Sequence, residues 1–302
     1  MLVVEGLSKT YGRDGVRALT EVDLTIDNGM FGLLGPNGAG KSTLMRTLAT
    51  LQQPTSGTAT LDGIDLLGEP MRAREVIGYL PQDAGVHPRV TAWEMLDYLA
   101  GLRCIGPGRR RREVIGEQLE RVNLADVAHR RLDTYSGGMR QRFGIATVFL
   151  IQPRLVIVDE PTAGLDPTER RRFQTMLAEA AEGCVLLISS HIVEDVAGLC
   201  SQMALLEEGQ IKLQGDPGLL VAGLAGKVWS RHVGLEAIDE AQAKYRLLSW
   251  RPDSGELLLR AFGDDLRAEG FEPAEPDLED LYNLYIGDPT ASEQSKLEGS
   301  TA

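Results

Sequence analysis

Positive charge and cysteine are scarce in this chain, and long apolar runs are missing. Its 302 residues carry 31 Lys+Arg against 44 Asp+Glu, a formal charge of −13. Such a balance lacks the basic footprint that neutralises nucleic-acid phosphates. It equally disfavours a broad direct contact with anionic lipid. The acid is uneven, with more than half of the excess falling after Gly226. The three cysteines, Cys104, Cys184 and Cys200, are far apart and match no metal-ligand spacing, so reduced thiols are expected rather than a disulfide framework. The longest largely apolar run, Phe143 to Ile151, is well short of the ~20 residues that span a bilayer. Met1-Leu2-Val3-Val4 meets Glu5 at once, so no secretory leader is expected. The chain is therefore not expected to cross a membrane by itself. What it does have is 43% hydrophobic and 25% charged residues, the composition of a globular chain. The length fits one large domain with a small one attached.

Short apolar segments alternate with helical patterns. Leu2–Val4 and Val22–Ile26 read as strands, and 29–34 as a buried strand ending in a Gly-rich turn. A helix is predicted from Lys41 to about Leu51. Asp62-Gly63 is a turn between strands at Thr58–Leu61 and Asp65–Leu67, and Val76–Leu80 is a further strand. Residues from about 91 to 149 read as helical. There Thr91 and Glu94 form a capping-box pattern, and Trp93, Leu96, Leu99 and Leu102 suggest an apolar face. Further helices are predicted from Glu113 to Val122 and from Gly138 to Leu150, with Arg109–Arg112 as a solvated charged turn before the first. Leu155–Val158 and Cys184–Ile188 read as strands buried on both faces. Between them a helix opens at Pro167 with Asp166 as its N-cap. Strands alternating with helices indicate a mainly parallel sheet, with the helical stretch as an insert. After Gly226 the pattern changes. Candidate strands are Trp229–Val233, Tyr245–Trp250 and Glu256–Arg260, the last two joined by the turn Asp253-Ser254-Gly255. A final helix from Pro276 to Ile286 carries Leu278, Leu281, Leu284 and Tyr285, and the polar tail after Gly287 is expected to be disordered.

The most informative segment is Gly35-Pro36-Asn37-Gly38-Ala39-Gly40-Lys41-Ser42-Thr43, which follows a buried strand and opens a helix. Its glycines let backbone N–H groups turn inward around phosphate oxygens. The helix N-terminus adds unpaired N–H groups and a positive dipole end. Lys41 can reach β- and γ-phosphates, Ser42 can offer its hydroxyl to Mg²⁺, and Thr43 can bond an α-phosphate. Nucleoside triphosphate binding follows. A second element, Leu155-Val156-Ile157-Val158-Asp159-Glu160, is a buried strand ending in two acids. Neighbouring strand residues point to opposite faces, so the two acids divide the work. Asp159 suits the Mg²⁺ shell and Glu160 the attacking water.

Between these segments lies Tyr135-Ser136-Gly137-Gly138-Met139-Arg140-Gln141, similar to the LSGGQ signature of the ABC transporter ATPases. With the phosphate loop and the acidic strand it makes residues 1 to about 225 resemble that family, with Tyr135 in place of Leu and Met139 in place of Gln. The resemblance implies an α/β P-loop NTPase fold: a mainly parallel sheet, an N-terminal antiparallel β subdomain and a helical insert at about 88–150. Residues 226–287 would form a small C-terminal α+β accessory region, and 288–302 the tail. It implies ATP and Mg²⁺ as ligands. Ser136, Gly137, Gly138 and Met139 would cover the nucleotide of a second, head-to-tail copy. Tyr11 would stack on adenine. Gln82 would act as the Q-loop residue near Mg²⁺ or water, Asp166 would lie at the dimer seam, and His191 would be the switch histidine beside Glu160. His87, His129 and His232 receive no role.

The helical insert, by the same resemblance, would receive a permease on a separate chain. Membrane contact would come only through that permease, at the cytoplasmic face. Leu33-Leu34, the signature segment and the ending Leu278-Glu279-Asp280-Leu281-Tyr282 look like the ATPases of drug- and antibiotic-resistance exporters. An importer ATPase is the alternative. A non-transport ABC machine acting on nucleic acid is opposed by the charge, and a non-hydrolysing module by Glu160 and His191.

Overall fold

The computed structural model describes residues 1–12, 15–82, 89–162 and 165–286. The expected disordered tail, His87, and Ala163-Gly164 before Asp166 lie outside them. Contacts divide the chain into two compact units, Met1–Ile211 and a second beginning at Lys212.

The first unit opens with β1 (Leu2–Tyr11), β2 (Val16–Ile26), β3 (Gly29–Leu34), α1 (Lys41–Leu48), β4 (Ser56–Leu61) and β5 (Ile64–Asp65). It continues with α2 (Pro70–Arg74), β6 (Ile77–Leu80), α3 (Ala92–Leu102), α4 (Arg109–Arg121) and α5 (Gly137–Val148). It ends with β7 (Leu155–Asp159), α6 (Pro167–Ala180), β8 (Val185–Ser190), α7 (Val193–Ala197) and β9 (Gln202–Glu207), and the next strand, β10 (Gln210–Gly215), begins in it and runs past Lys212. One sheet, ordered β2-β1-β4-β5, is antiparallel. The other is ordered β10-β9-β3-β8-β7-β6, and β9, β3, β8, β7 and β6 run parallel. The two sheets share one core. Leu24 and Leu61 of the antiparallel sheet, Leu44, Met45 and Leu48 of α1, and the alternate residues Phe31, Leu33, Leu155, Ile157, Val185 and Leu187 pack together. The intervening Val156, Val158, Leu186 and Ile188 are buried as well. The central strands are thus covered on both faces, which explains their unbroken apolar sequence. On the second face α5 approaches β6 closely: a Cβ at Gly78 would lie 2.4 Å from Val148 Cγ1.

Because β3, β8, β7 and β6 are parallel neighbours, their carboxyl ends line up. Leu34 faces Ser190, Asp159 faces Ser189, and Leu80 faces Val158. That edge is where ligands settle on open α/β sheets.

Several expectations need correction. Strands β1 and β2 run well beyond the predicted segments. Register shifts after Val4 and Leu7, with Gly6 at φ 57°, break the alternation on which the reading relied. Helix α1 stops at Leu48, because Thr50 turns left-handed at φ 60°. The capping box at Thr91 is formed, but the buried stripe of α3 is Ala92, Met95, Leu96 and Ala100, and Leu102 is exposed. Of the expected face only Leu96 is fully buried; Trp93 is half-buried, its ring 5.6 Å from that of His129. Arg109–Arg112 form the first turn of α4, and Arg109, Arg110 and Arg112 are exposed there, the solvated charged turn that was expected. Arg111 donates to Ile105 O at 2.8 Å and lies 3.5 Å from Asp97, folding its stem onto the α3–α4 connection.

The second unit contains α8 (Pro217–Ala222), β11 (Val228–Val233), α9 (Ile238–Lys244), β12 (Arg246–Asp253), β13 (Glu256–Phe262), β14 (Glu272–Pro273) and α10 (Leu278–Ile286). Its sheet, ordered β12-β13-β11-β14, is antiparallel. The hairpin turn falls at Ser254-Gly255, both left-handed, with Asp253 opposite Glu256, the two-residue geometry that matches strand twist. Trp229, Leu247, Leu257, Leu259, Ala261 and Phe271 form its core with Ala241 of α9. Tyr285 is exposed, and α10 instead buries Asp280 beside Leu278 and Leu281. Among the described residues no helix is long and apolar enough to cross a membrane.

Candidate active site

Between β3 and α1 the chain turns with Gly38 at φ 84° and Gly40 at φ 107°. Gly40 is also where the loop presses on β2: a Cβ there would sit 2.4 Å from Ala18 O. No side chain caps α1. Its first N–H groups are left to the loop and to whatever anion enters it. Lys41 is 4% exposed and donates to Gly35 O at 2.7 Å and Pro36 O at 3.1 Å. Burial holds its ammonium below the ordinary lysine value, against the opposite pull of Glu160.

The two acids divide at the end of β7: Asp159 closes the strand and Glu160 lies just beyond it. Asp159 is buried and accepts from Ser189 Oγ at 2.7 Å and from Ser42 Oγ at 3.3 Å. Glu160 leaves the strand in the left-handed region at φ 43°, a conformation that costs about 1–3 kcal/mol and persists only where surroundings hold it. The hold is visible: Glu160 N donates to Ser189 Oγ at 3.0 Å. The Glu160 carboxylate then meets three side chains from three elements. Lys41 Nζ is at 3.5 Å, His191 Nδ1 at 3.4 Å, and Gln82 Nε2 donates at 3.2 Å. Phosphate loop, Gln82, both acids and His191 therefore meet at one place.

Asp159 and Ser42 supply hard oxygen donors of the kind Mg²⁺ takes, with the rest of an octahedral shell normally drawn from phosphate oxygens and water. This donor set fits that ion. Tyr11, at the end of β1, is half exposed. Its hydroxyl donates to Gln52 Oε1 at 2.7 Å and Lys9 Nζ stands 5.1 Å from its ring centre.

Ser136 caps α5, accepting from Met139 N at 3.2 Å. Ser136 and Gly137 are exposed, Met139 is half-buried, and Gly138 is buried against Glu169 of α6, where a Cβ would come within 2.3 Å of Oε2. Among the described residues, the bonds of this segment are to α5 and its neighbours, not to the phosphate loop. Asp166 caps α6, accepting from Thr168 N at 2.8 Å and Glu169 N at 2.9 Å.

Two groups of this site escape a linear reading. Ser189 joins Asp159 to the backbone of Glu160, and Asp195, four positions past His191, gathers Thr162 and Ser190. The Ser189-Ser190 pair, polar at the end of an apolar strand, is the one trace they leave in the sequence.

The profile of the family described as ABC transporter matches residues 19–163. An ABC transporter ATP-binding protein of Bacillus subtilis is 40% identical over 72% of this chain and 71% of its own length. The chain belongs to the ABC transporter ATP-binding proteins. Another relative, the doxorubicin resistance ATP-binding protein of Mycobacterium tuberculosis, is 30% identical over 99% of this chain and 97% of its own length. Among solved structures, a dimeric ATP-binding cassette bound to ADP and Pi superposes with a TM-score of 0.65. It is 25% identical and covers 72% of this chain and 98% of its own. As an ABC ATP-binding protein the chain is an ATPase, and its sheet, phosphate loop and helical insert are those of the family's P-loop fold.

Proposed function

We propose that this ABC ATPase drives a separate transmembrane permease that exports a drug, antibiotic or lipid-like substrate, from a position on the cytoplasmic face of the membrane held by that permease. The observation that carries the hydrolytic part is the approach of Lys41, Gln82 and His191 to Glu160 at the mouth of the phosphate loop. In this reading Gly35 to Thr43 wrap the triphosphate, and Lys41 turns from Gly35 O and Pro36 O to the β- and γ-phosphates. Tyr11 offers the adenine the ring face opposite Lys9. Bound through Ser42 and Asp159, with Gln82 nearby, Mg²⁺ would neutralise phosphate charge. Glu160 takes the proton of a water whose oxygen bonds the γ-phosphorus as the β–γ bridging P–O bond breaks and ADP departs. His191 holds the γ-phosphate and orients Glu160. Proton removal of this kind is worth about 10²–10⁴ in rate.

The exposed N-terminus of α5, with Ser136, Gly137, Gly138 and Met139, would seal the nucleotide of a facing copy, with Asp166 at the seam. The dimeric cassette bound to ADP and Pi supports two copies as the working unit. The doxorubicin-resistance relative supports export. The accessory region after Gly226 would stabilise or regulate that assembly.

Light scattering on Glu160→Gln tests the assembly. ATP with Mg²⁺ should double its solution mass, and a bulky Ser136→Arg on the same background should keep it single. A Glu160→Gln protein that stays single at saturating ATP would refute the sandwich. The permease is tested by purification from membranes, which should bring down a multi-span partner.

A further inference from the structure

Asp195 sits in α7 with 1% of its surface exposed. A carboxylate so buried is tolerated only when its lone pairs are answered. Here they are answered from three different elements. Oδ2 accepts from Thr162 Oγ1 at 2.6 Å and from Ser190 Oγ at 2.9 Å. Oδ1 accepts from Gln174 Nε2 of α6 at 3.1 Å, and Arg170 Nε lies 2.7 Å from it as an ionic contact. Thr162 stands two residues beyond Glu160. Ser190 directly precedes His191, and its oxygen in turn accepts from Ile192 N at 2.9 Å. The turn that presents His191 is therefore pinned across its base by one hydroxyl, whose proton goes to Asp195. The same carboxylate oxygen fixes the segment that leaves Glu160.

We propose that Asp195 is a positioning residue for ATP hydrolysis: through Thr162 and Ser190 it sets the 3.4 Å approach of His191 to Glu160, and through Gln174 and Arg170 it ties that pair to α6. The proposal rests on the roles given above to Glu160 and His191. Asp195 touches neither, and it lies on the side of β8 opposite to Ser189, which serves Asp159. Alternation thus splits the serine pair: one hydroxyl holds the acids of β7, and the other holds the switch turn.

Asparagine cannot replace this carboxylate cleanly. Its amide offers one acceptor and two donors where three donors and a guanidinium already converge, so Asp195→Asn risks misfolding. The sharper test removes one spoke. Thr162→Val keeps shape and volume but loses the hydroxyl, and Thr162→Ser restores it. At a temperature where all variants are folded, Thr162→Val should lower kcat about ten- to hundredfold, the scale of a small misplacement of reacting groups. ATP-analogue affinity by calorimetry should stay unchanged, and Thr162→Ser should recover most of the rate. A wild-type kcat in Thr162→Val overturns the proposal, as does a Thr162→Ser enzyme just as slow. Loss of nucleotide affinity in step with kcat would likewise show a merely structural role. Glu160→Gln, measured alongside, separates the two layers. If it still turns over, the underlying roles fail; if it is dead while Thr162→Val is unimpaired, only the positioning role fails.

Discussion

Asp280 in the second unit and Glu160 in the first are both acids facing cations, yet they are held in opposite ways. Asp280 is 1% exposed. It takes the Nε of Arg260 at 2.7 Å, pairs with its Nη2 as well, and accepts from Asp277 N at 3.0 Å. Its demands are met by short bonds, and Arg260, which supplies most of them, also donates to Glu275 O at 2.7 Å. Glu160 is 12% exposed and sits on a left-handed backbone. Its three partners stand at 3.2–3.5 Å, and one of them, Lys41, is shared with carbonyls of the phosphate loop. Charge-assisted bonds at their best are nearer 2.8 Å. Complete, tight satisfaction marks a structural ion pair. Long contacts from several elements onto one strained acid mark groups arranged for something else to enter.

The contrast can be broken by substitution. The largest expected effect on stability is at Arg260→Ala, which leaves a buried carboxylate without its fork. Breaking a buried pair costs about 3–5 kcal/mol, and because Arg260 is 20% exposed the low end, about 3 kcal/mol, is expected by urea unfolding. An unchanged midpoint would remove the structural half of the comparison. Lys41→Ala should do the reverse. Nucleotide affinity should fall about ten- to hundredfold, the scale of a lost charged hydrogen bond. Stability should drop far less than in Arg260→Ala, since burial already penalises that ammonium. Calorimetry and unfolding on the same preparation check both.

A pH titration sharpens the point with a smaller effect. Lys41 titrates below its ordinary 10.5 because burial disfavours the ammonium, and a triphosphate favours the charged form. ATP affinity should therefore hold while Lys41 is protonated and decline as pH rises through its lowered pKa. In Lys41→Ala that decline should vanish; a persisting decline would assign it elsewhere. The smallest effect is expected at a purely local device. Thr91→Ala breaks the capping box of α3 and should cost about 1 kcal/mol, leaving nucleotide affinity intact.

What the sequence disclosed, it disclosed where the cause is local. The phosphate loop is contiguous, and its glycines are required by its own turn. Asp159 follows from the end of one buried strand, the Thr91 cap from its spacing to Glu94, the Asp166 cap from the Pro167 beside it, and the hairpin from the turn residues Asp253-Ser254-Gly255. What escaped depends on neighbours in space. Bulges hid the extent of β1 and β2. The buried face of α3 takes in Ala92 and Ala100 beside Met95 and Leu96, small residues that a search for large apolar side chains passes over. Arg109, Arg110 and Arg112 are exposed as expected, but Arg111 folds back on Ile105. Asp195 binds Thr162 and Gln174 across a gap of 33 and 21 positions, a relation no period or motif announces.

The most direct test of the account is phosphate release from ATP by the purified wild type and Glu160→Gln, each with ATP occupancy matched by calorimetry. The arrangement around Glu160 predicts full occupancy in both and a rate lower by about 10²–10⁴ in the variant. Equal rates at equal occupancy would contradict it, because the proton of the attacking water would then be leaving by another route.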